Sequence, residues 1–303
     1  MSSNAGSPVK AILYAFLANL CIAIAKLATA IYTGSGSMMA ETIHSFADTG
    51  NQVLLFIGLK SSEKEADADH PLGYGKLSYF WSFIVALMLF SVGGLFSIYE
   101  GLHKLSGDTE LNQVWIGLVI LGVSIIVEGF SLAGAMHEAS LMRGDKPLIQ
   151  WLAHTRNAEI VVVMGEDVAA IVGLVIAFCF LGMTWLTGDP IYDSVGSICI
   201  GVILIIVALF LVVRLQGLLV GKSAEPGLCI LIDQLIAEHD QIDSVLNTIT
   251  LQMGPKVMLA AKIVIDEDVS VGEAVVLING LELKLKQAHP EIGWCFIELD
   301  NLD

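Results

Sequence analysis

The stretch "SGSMMAETIHSFADTGNQ", residues 35–52, places charged and ligating side chains inside a segment that is otherwise apolar enough to span a membrane. Its polar residues recur every three or four positions, so a helix would align them in one stripe: Glu41, His44, Asp48 and Asn51. An ionised carboxylate at the centre of a bilayer costs about 2.5–3.5 kcal/mol even on insertion scales. The stripe is therefore expected to face a bundle interior, a water-filled cavity or a bound ion.

The composition of the whole chain agrees with a membrane protein. Of its 303 residues 55% are hydrophobic and only 15% are charged, and the mean hydropathy is +0.75. The formal net charge of -16 is spread unevenly, because residues from Ser223 onward include 4 basic and 14 acidic side chains. This last quarter of the sequence is predicted to be a soluble, acidic module, which argues against nucleic acid or an anionic membrane surface as its partner.

Six apolar stretches are long enough to cross a bilayer as helices of about 20 residues each. They cover residues 10–32, 38–60, 78–102, 113–137, 158–182 and 191–220. An even number of spans puts both termini on one side of the membrane. With the termini in the cytoplasm, the basic residues near the ends of the spans lie almost all on the cytoplasmic side, with Lys104 outside, as the positive-inside rule requires.

Two further expectations concern the first span. The leader "MSSNAGSPVK" is short and polar, and the apolar run after it is too long for a cleaved signal peptide, so we expect the span to be retained, with a bacterial inner membrane as the host. Lys26 lies within this span. It could snorkel to the outer interface or pair with an intramembrane acid, and the sequence leaves both possibilities open.

After "GKSAEP" the periodicity becomes that of a soluble α+β module. It predicts a helix over 226–239, strands over 244–253 and 256–266 around a Gly254-Pro255 turn, a helix over 270–288 and a strand over 293–299. We therefore divide the chain into a transmembrane domain, residues 1–222, and a soluble domain, residues 223–303. The small domain has a thin core, so we expect it to be stabilised by a partner, its own copy in a dimer.

A transition-metal site is the chemistry that the buried polar groups favour. His44 and Asp48, four residues apart on a helix, can offer an imidazole nitrogen and a carboxylate oxygen to one cation. This ligand mix suits zinc and, less selectively, manganese, iron or cobalt. Two ligands do not make a site, so further ligands have to come from other spans.

The fifth and fourth spans supply three more intramembrane acids. Glu166 and Asp167 lie in "VVVMGEDVAAIVG", and Glu128 lies in "VSIIVEGFSLAG". If these spans pack against the second, Asp167 and one of the two glutamates would complete a four-ligand tetrahedral shell. A single intramembrane acid can instead hydrogen-bond a lysine, a serine or a helix backbone, and for Glu128 this alternative carries equal weight.

Several motifs together resemble the cation diffusion facilitator family of zinc transporters, and look most like its zinc transporter nine branch. They are "SGSMMAETIHSFADTGNQ", "DADHPLGYGK", "EDVAAIVG" and "TGDPIYDSVGS", and the resemblance extends over roughly residues 8–300. It implies a homodimer in which each protomer has six transmembrane helices and a cytoplasmic ferredoxin-like domain. It also implies proton-coupled transport of a divalent metal ion, with Zn²⁺ as transported substrate and no cofactor.

Within the spans, the resemblance assigns metal ligands by position and exposes one departure. His44 and Asp48 match the paired ligands of the second span, and Asp167 matches the second member of the fifth-span pair. The first member falls on Val163, which cannot ligate a metal. Either Glu128 or Glu166 replaces it, or water completes the shell, so the preference for zinc over manganese, iron or cobalt is less secure.

Two metal sites of bacterial relatives lie outside the spans and are matched only in part. In the loop after the second span Asp67 and His70 match, but the third position holds Tyr74. In the tail only Asp300 matches. The other positions read Leu246, Lys262 and Glu298, and we expect no binuclear metal cluster there.

Two other classes of protein compete with a secondary active transporter. An intramembrane metalloenzyme could use the same ligands to activate water, but no HExxH motif lies on a span. A non-transporting scaffold could use the spans as an anchor and the tail as a metal-responsive signal. ATP is not expected to drive transport, because the chain contains no GxxxxGK[ST] phosphate-binding loop.

Overall fold

The computed structural model describes residues 8–106, 111–266 and 268–301, with side chains from residue 19 onward. The first seven residues of the predicted polar leader therefore lie outside the described part. The chain divides into two compact units. The first contains residues 8–57, Trp81–Asp145 and Glu159–Arg214; the second contains Gly58–Phe80, Lys146–Ala158 and residues 215–301.

Each of the six predicted spans is helical in the structure. They are α1 (Pro8–Thr33), α2 (Gly36–Ser62), α3 (Leu77–Leu105), α4 (Val114–Arg143), α6 (Ala158–Thr187) and α7 (Ile191–Val220). Among the described residues, α3, α4, α6 and α7 are long and apolar enough to cross a membrane. α2 has 27 residues, but its polar stripe keeps it out of this apolar class.

The surface of α4 is strongly apolar and largely uncovered within the first unit. Ile126 and Phe130 are among its exposed side chains. A large apolar surface of this kind is costly in water and favourable in hydrocarbon, so it fits a helix that faces lipid.

Two features of the helices do not follow from the sequence pattern. Residues Leu89–Leu95 in the middle of α3 form π-helical turns, which often occur at functional sites. The polar connection after α4 contains a short helix, α5 (Leu148–His154), where the sequence predicts only a loop. Pro147 immediately precedes α5, and a proline without a backbone N–H is tolerated at the start of a helix.

The tail forms the predicted αββαβ order. It contains α8 (Pro226–Ala237), β1 (Ile242–Met253), β2 (Lys256–Ile265), α9 (Val271–Ala288) and β3 (Ile292–Leu299). β1 and β2 form an antiparallel hairpin, and β3 lies parallel to β2, so the sheet is mixed. A Ser270–Glu273 capping box fixes the start of α9, because each residue bonds the backbone N–H of the other.

A single apolar core joins both tail helices to one face of the sheet. Ile232 and Ile236 of α8 and Leu277, Leu281 and Leu285 of α9 pack on alternating strand residues, which are Leu259, Ala261 and Ile263. The opposite face carries Ile249 and Phe296, each 56% exposed.

The second unit also includes two polar connections that precede residue 223. The Tyr79 hydroxyl donates a hydrogen bond of 3.0 Å to the Gly254 carbonyl at the β1–β2 turn. The Arg156 guanidinium donates to the carbonyls of His154, Ser223 and Ala224 at 2.7, 2.8 and 3.2 Å. These bonds attach the base of α3 and the segment before α6 to the tail.

Candidate metal centre

The polar stripe of α2 is buried, as its helical spacing predicts. Glu41 is 0% exposed and His44 is 1% exposed, and Asn51 is also fully buried. The Asp48 side chain retains 20% exposure. Burying these groups would oppose folding unless each finds a partner or a ligand.

His44 and Asp48 form the closest pair of predicted metal ligands. His44 Nε2 lies 3.4 Å from Asp48 Oδ2, one helical turn further along α2. Neither ring nitrogen of His44 forms a hydrogen bond among the described residues, and neither does Asp48 Oδ1. An imidazole and a carboxylate that are buried with free lone pairs are suited to a cation, which would satisfy both at once.

Helix α6 brings the second set of acids to α2. The Asn51 side-chain amide donates a hydrogen bond of 2.7 Å to Glu166 Oε1, and Glu166 is buried. The neighbouring Asp167 accepts a hydrogen bond of 3.3 Å from Ser131 of α4. Glu166 is therefore held by α2 and Asp167 by α4. Val163 is partly exposed.

Glu128 lies near the same acids. Its carboxylate interacts electrostatically with Asp48 and Asp167, and also with His44. However, the described residues contain no group of three or more His, Cys, Asp or Glu side chains placed closely enough to hold one ion. The structure thus joins His44 to Asp48 and gathers the other acids around them. The five-residue ligand set, His44, Asp48, Glu128, Glu166 and Asp167, remains a prediction.

The structure shows that Lys26 pairs with an acid, one of the two possibilities that the sequence leaves open. It is 1% exposed, so it does not snorkel to an interface. Its ammonium lies 3.4 Å from Glu41 Oε2 and donates a hydrogen bond of 2.7 Å to Ser45 Oγ. Within the described part of the chain Glu41 Oε1 has no hydrogen-bond partner, and it faces Gly173 of α6, where an added Cβ would lie 2.6 Å from it. α1, α2 and α6 therefore meet at this carboxylate.

Asp193 of α7 holds the start of α2. Its carboxylate accepts hydrogen bonds from the Ser35 hydroxyl at 2.6 Å, from the Ser37 hydroxyl, and from the backbone N–H groups of Gly36 and Ser37. A carboxylate at this point satisfies N–H groups that have no partner within the helix and complements the helix dipole. Sequence reasoning missed this contact, since Asp193 lies 156 positions from Ser37.

The Asp67 loop is closed by its own side chains. Asp67 Oδ2 accepts hydrogen bonds from Lys64 at 3.0 Å and from the Tyr74 hydroxyl at 2.8 Å, while Oδ1 accepts the His70 backbone N–H. The Lys64 bond, followed by the Tyr74 bond, holds the pKa of Asp67 well below its usual value. The bond to Tyr74, followed by that to Asp67, raises the pKa of Lys64. The Lys64 ammonium already neutralises the Asp67 carboxylate, so the loop is better explained by its own hydrogen bonds than by metal binding at Asp67 and His70.

In the tail, Lys262 forms an ion pair of 3.0 Å with Asp300, the one tail position that matches a ligand of bacterial relatives. In the parallel pairing of β2 with β3, Lys262 lies directly beside Glu298. Leu246 is apolar and contributes no ligand.

Comparison with known proteins gives consistent matches. The model of the cation efflux transmembrane domain matches residues 12–219. The chain is 33% identical over 262 residues to a Xenopus laevis protein named proton-coupled zinc antiporter SLC30A9, mitochondrial, an alignment that covers 86% of this chain and 47% of that protein. It is 34% identical over 227 residues to metal tolerance protein C4 of Arabidopsis thaliana, covering 74% and 49%.

A bacterial relative is more distant but matches over more of its own length. The chain is 23% identical over 274 residues to magnetosome protein MamB of Magnetospira sp., which covers 90% of this chain and 88% of that protein. In contrast, the chain spans about half the length of the Xenopus and Arabidopsis relatives.

Proposed function

The chain belongs to the cation efflux family, and from this premise we propose that it is a proton-coupled antiporter that moves a divalent metal ion out of the cytoplasm, with Zn²⁺ as its preferred cargo. One observation carries the proposal. His44 and Asp48 form a pair on α2, and among the described residues both ring nitrogens of His44 and Oδ1 of Asp48 are buried without a hydrogen-bond partner. Glu128 of α4 and Glu166 of α6 interact electrostatically with Asp48. Ionisable groups inside a membrane bundle are costly unless they pair with each other or line the path of a transported ion or proton.

The binding chemistry provides the coupling between metal and protons. His44 and the acids bind a divalent ion only after they lose their protons, so metal entry from the cytoplasm releases protons. When the site opens to the more acidic side, protons return to the ligands and the ion leaves. The gradient of protons then drives a secondary active transporter, and no chemical reaction is required of the chain.

The shell that we propose contains His44, Asp48, Asp167 and one of Glu128 and Glu166. Glu166 accepts a hydrogen bond of 2.7 Å from Asn51 at Oε1, which leaves Oε2 available to a metal ion. Glu128 and Glu166 each interact electrostatically with Asp48 and Asp167. Either glutamate can therefore serve as the fourth ligand in this proposal. With one imidazole and three carboxylates the site is harder than a histidine-rich one, so Mn²⁺, Fe²⁺ and Co²⁺ are the competing cargoes.

The membrane arrangement that we propose has six spans, α1–α4, α6 and α7, with both termini and the ferredoxin-like tail in the cytoplasm. α1 is about as apolar as α4. α2 is less apolar, but the burial of its polar groups against α1 and α6 makes crossing possible. A bacterial inner membrane is the host expected from the sequence. The Xenopus relative is named mitochondrial, so localisation of a tagged chain is the test of the host membrane.

We also propose a homodimer. Ile249 and Phe296 lie in register across Ala260 on the open face of the tail sheet, and both are more than half exposed. A three-stranded sheet with an uncovered apolar row is stabilised by a second copy. The mass of the purified protein in detergent, measured by light scattering, tests this: a monomer at all concentrations contradicts it.

Metal flux in sealed vesicles tests the transporter itself. We expect reconstituted protein to take up Zn²⁺ when a pH gradient is imposed, and Asp48→Asn and Asp167→Asn to abolish uptake. Asp189→Asn is the matched control, because Asp189 lies in an exposed connection before α7. Wild-type vesicles without metal flux, but with a metal-dependent change in the tail, would favour the scaffold instead.

A parallel series identifies the cargo and the fourth ligand. Uptake of Zn²⁺, Mn²⁺, Fe²⁺, Co²⁺ and Cd²⁺ is compared for the wild type, Glu128→Gln and Glu166→Gln. If Glu128 is the ligand, Glu128→Gln raises KM for Zn²⁺ by roughly tenfold or more, while Glu166→Gln changes KM less. The reverse order would assign the ligand to Glu166.

A further inference from the structure

The buried ammonium of Lys26 lies beside the proposed metal site, and the proposed transport mechanism does not use it. Lys26 of α1 reaches across to α2, where its ammonium contacts Glu41 Oε2 at 3.4 Å and Ser45 Oγ at 2.7 Å. The lysine and the glutamate are both inaccessible to solvent. A lysine kept in the interior of a membrane bundle must gain from a specific acidic partner, because the charge alone is strongly disfavoured there.

The pair is close enough to influence the ligands. Lys26 interacts electrostatically with His44 and Asp48 as well as with Glu41. Glu41 in turn interacts with His44 and Asp48. Within a low-dielectric bundle, charges over such distances change the affinity of a site for a cation.

Glu41 would be an obvious metal ligand if Lys26 were absent. It lies one turn from His44 on the same stripe, it is buried, and its Oε1 atom forms no hydrogen bond among the described residues. Two contacts hold it away from this role. Lys26 occupies Oε2, and Gly173 of α6 lies so close to Oε1 that an added Cβ would come 2.6 Å from it.

We propose that Lys26 is a specificity-determining residue of the transport site, a built-in counter-ion that neutralises Glu41 and keeps this carboxylate out of the metal shell. The inference rests on the proposed function and deepens it. The pair contributes no net charge, so the cation affinity of the site is set by His44 and the remaining acids. Lys26 also excludes one hard oxygen donor, which shifts the preference away from Mn²⁺ and towards Zn²⁺.

The sign of each charge makes the inference testable. Lys26→Met removes a positive charge and releases Glu41, so the affinity for a divalent ion rises, and rises most for Mn²⁺. Glu41→Gln leaves the ammonium uncompensated beside His44 and Asp48, so the affinity falls. The double variant has neither charge and returns towards the wild type. Each single change is expected to shift the affinity by about tenfold.

The experiment measures equilibrium binding of Zn²⁺ and Mn²⁺ to the purified full-length protein, by competition with a fluorescent chelator, and then uptake into vesicles. The control is the pair Lys286→Met and Glu282→Gln in α9, which removes an exposed ion pair of the tail. These controls leave both affinities unchanged. Thermal unfolding of all variants identifies any that have lost the fold.

The outcomes separate this inference from the proposed function. Opposite shifts in metal affinity for the two single variants, with recovery in the double variant, support the counter-ion. Shifts in the same direction, or a Zn²⁺/Mn²⁺ ratio that Lys26→Met does not change, overturn it, since a merely structural pair weakens binding whichever partner is lost. Wild-type protein that binds Zn²⁺ without transporting it overturns the transporter, while the binding cycle still decides the role of Lys26.

Ser45→Ala provides a second test in case both charge variants unfold. It removes an acceptor of Lys26 without altering any charge. The ammonium then relies on Glu41 alone, so metal affinity stays within about twofold of the wild type if charge neutralisation is what matters. A loss of about tenfold, the size expected for an uncompensated charge, would contradict the inference.

Discussion

The side-chain amide of Asn51 donates a hydrogen bond of 2.7 Å to Oε1 of Glu166, and this bond joins α2 to α6 inside the bundle. The two helices carry His44 and Asp48 on one side and Asp167 on the other. Their relative position therefore depends on a polar contact between residues that need not touch the metal themselves.

Asn51→Leu keeps the approximate volume of the side chain and removes the donor. Glu166 then remains buried without its partner, which costs about 1–3 kcal/mol, so we expect a lower unfolding temperature in detergent and slower Zn²⁺ uptake. Asn279→Leu, an exposed position of α9, is the matched control. Equal unfolding temperatures for Asn51→Leu and the wild type would show that the bond contributes nothing.

Gly173→Ala is expected to impair both stability and transport. The new Cβ would lie 2.6 Å from Glu41 Oε1, so either α6 or the Lys26–Glu41 pair has to shift, at a cost of about 1–3 kcal/mol. Gly182→Ala on the same helix meets only Leu118, at an ordinary 3.9 Å, and tests the effect of alanine itself. Equal unfolding temperatures and equal transport rates for Gly173→Ala and Gly182→Ala would contradict this expectation.

Asp193→Ala removes the acceptor that holds the first turn of α2. We expect a loss of about 1–2 kcal/mol, typical of a deleted helix cap, and faster amide hydrogen exchange at residues 36–38. Asp189→Ala removes a single exposed bond to the Ile191 N–H and should have a smaller effect. Unchanged exchange at the start of α2 would contradict this account.

The Asp67 loop predicts a defined dependence on pH. Because the pKa of Asp67 is lowered in the folded protein, its contribution to stability is present above the usual aspartate pKa of about 3.9 and is lost as pH falls through the lowered folded-state value. Tyr74→Phe removes one donor, so the pKa of Asp67 moves up towards its usual value. A carboxyl NMR titration measures the shift, and an identical titration curve in Tyr74→Phe would rule out the tyrosine as a cause.

Arg156→Lys tests the attachment of the segment before α6 to the tail. A guanidinium can donate to three carbonyls in a fixed fork, whereas an ammonium at the end of a flexible stem cannot reproduce that geometry. We expect faster hydrogen exchange and proteolysis around residues 221–225, with a stability loss of about 1–3 kcal/mol. Lys286→Arg is the control for the reverse change in an exposed position. If residues 221–225 of Arg156→Lys are as protected from hydrogen exchange and proteolysis as in the wild type, the guanidinium does not have the role assigned to it.

Elements defined by local periodicity could be predicted from the sequence. The tail strands and helices follow alternation, turn residues and a capping box, and each lies within a few residues of its predicted position. The buried stripe of α2 likewise follows from spacing alone. In contrast, the π-helical turns of α3 and helix α5 depend on packing and chain direction, which the hydropathy pattern does not contain.

The candidate site was predictable in its residues but less so in its partners. The presence of His44, Asp48 and Asp167 in apolar spans pointed to one polar centre, because isolated charges are expelled from lipid. Which acid approaches which helix depends on contacts over more than a hundred positions, such as Asn51 with Glu166. Lys26 could be placed only by the fold, since both snorkelling and pairing fit its position in the first span.

The π-helical turns at Leu89–Leu95 make the middle of α3 irregular, next to His44 of α2. Irregular turns of this kind often occur at functional sites, and these turns lie beside the imidazole of the predicted metal centre. Gly93, within these turns, lies where an added Cβ would come 3.9 Å from His44 Nδ1. The missing side chain at position 93 therefore leaves space beside the imidazole, and a larger residue there would reach towards Nδ1.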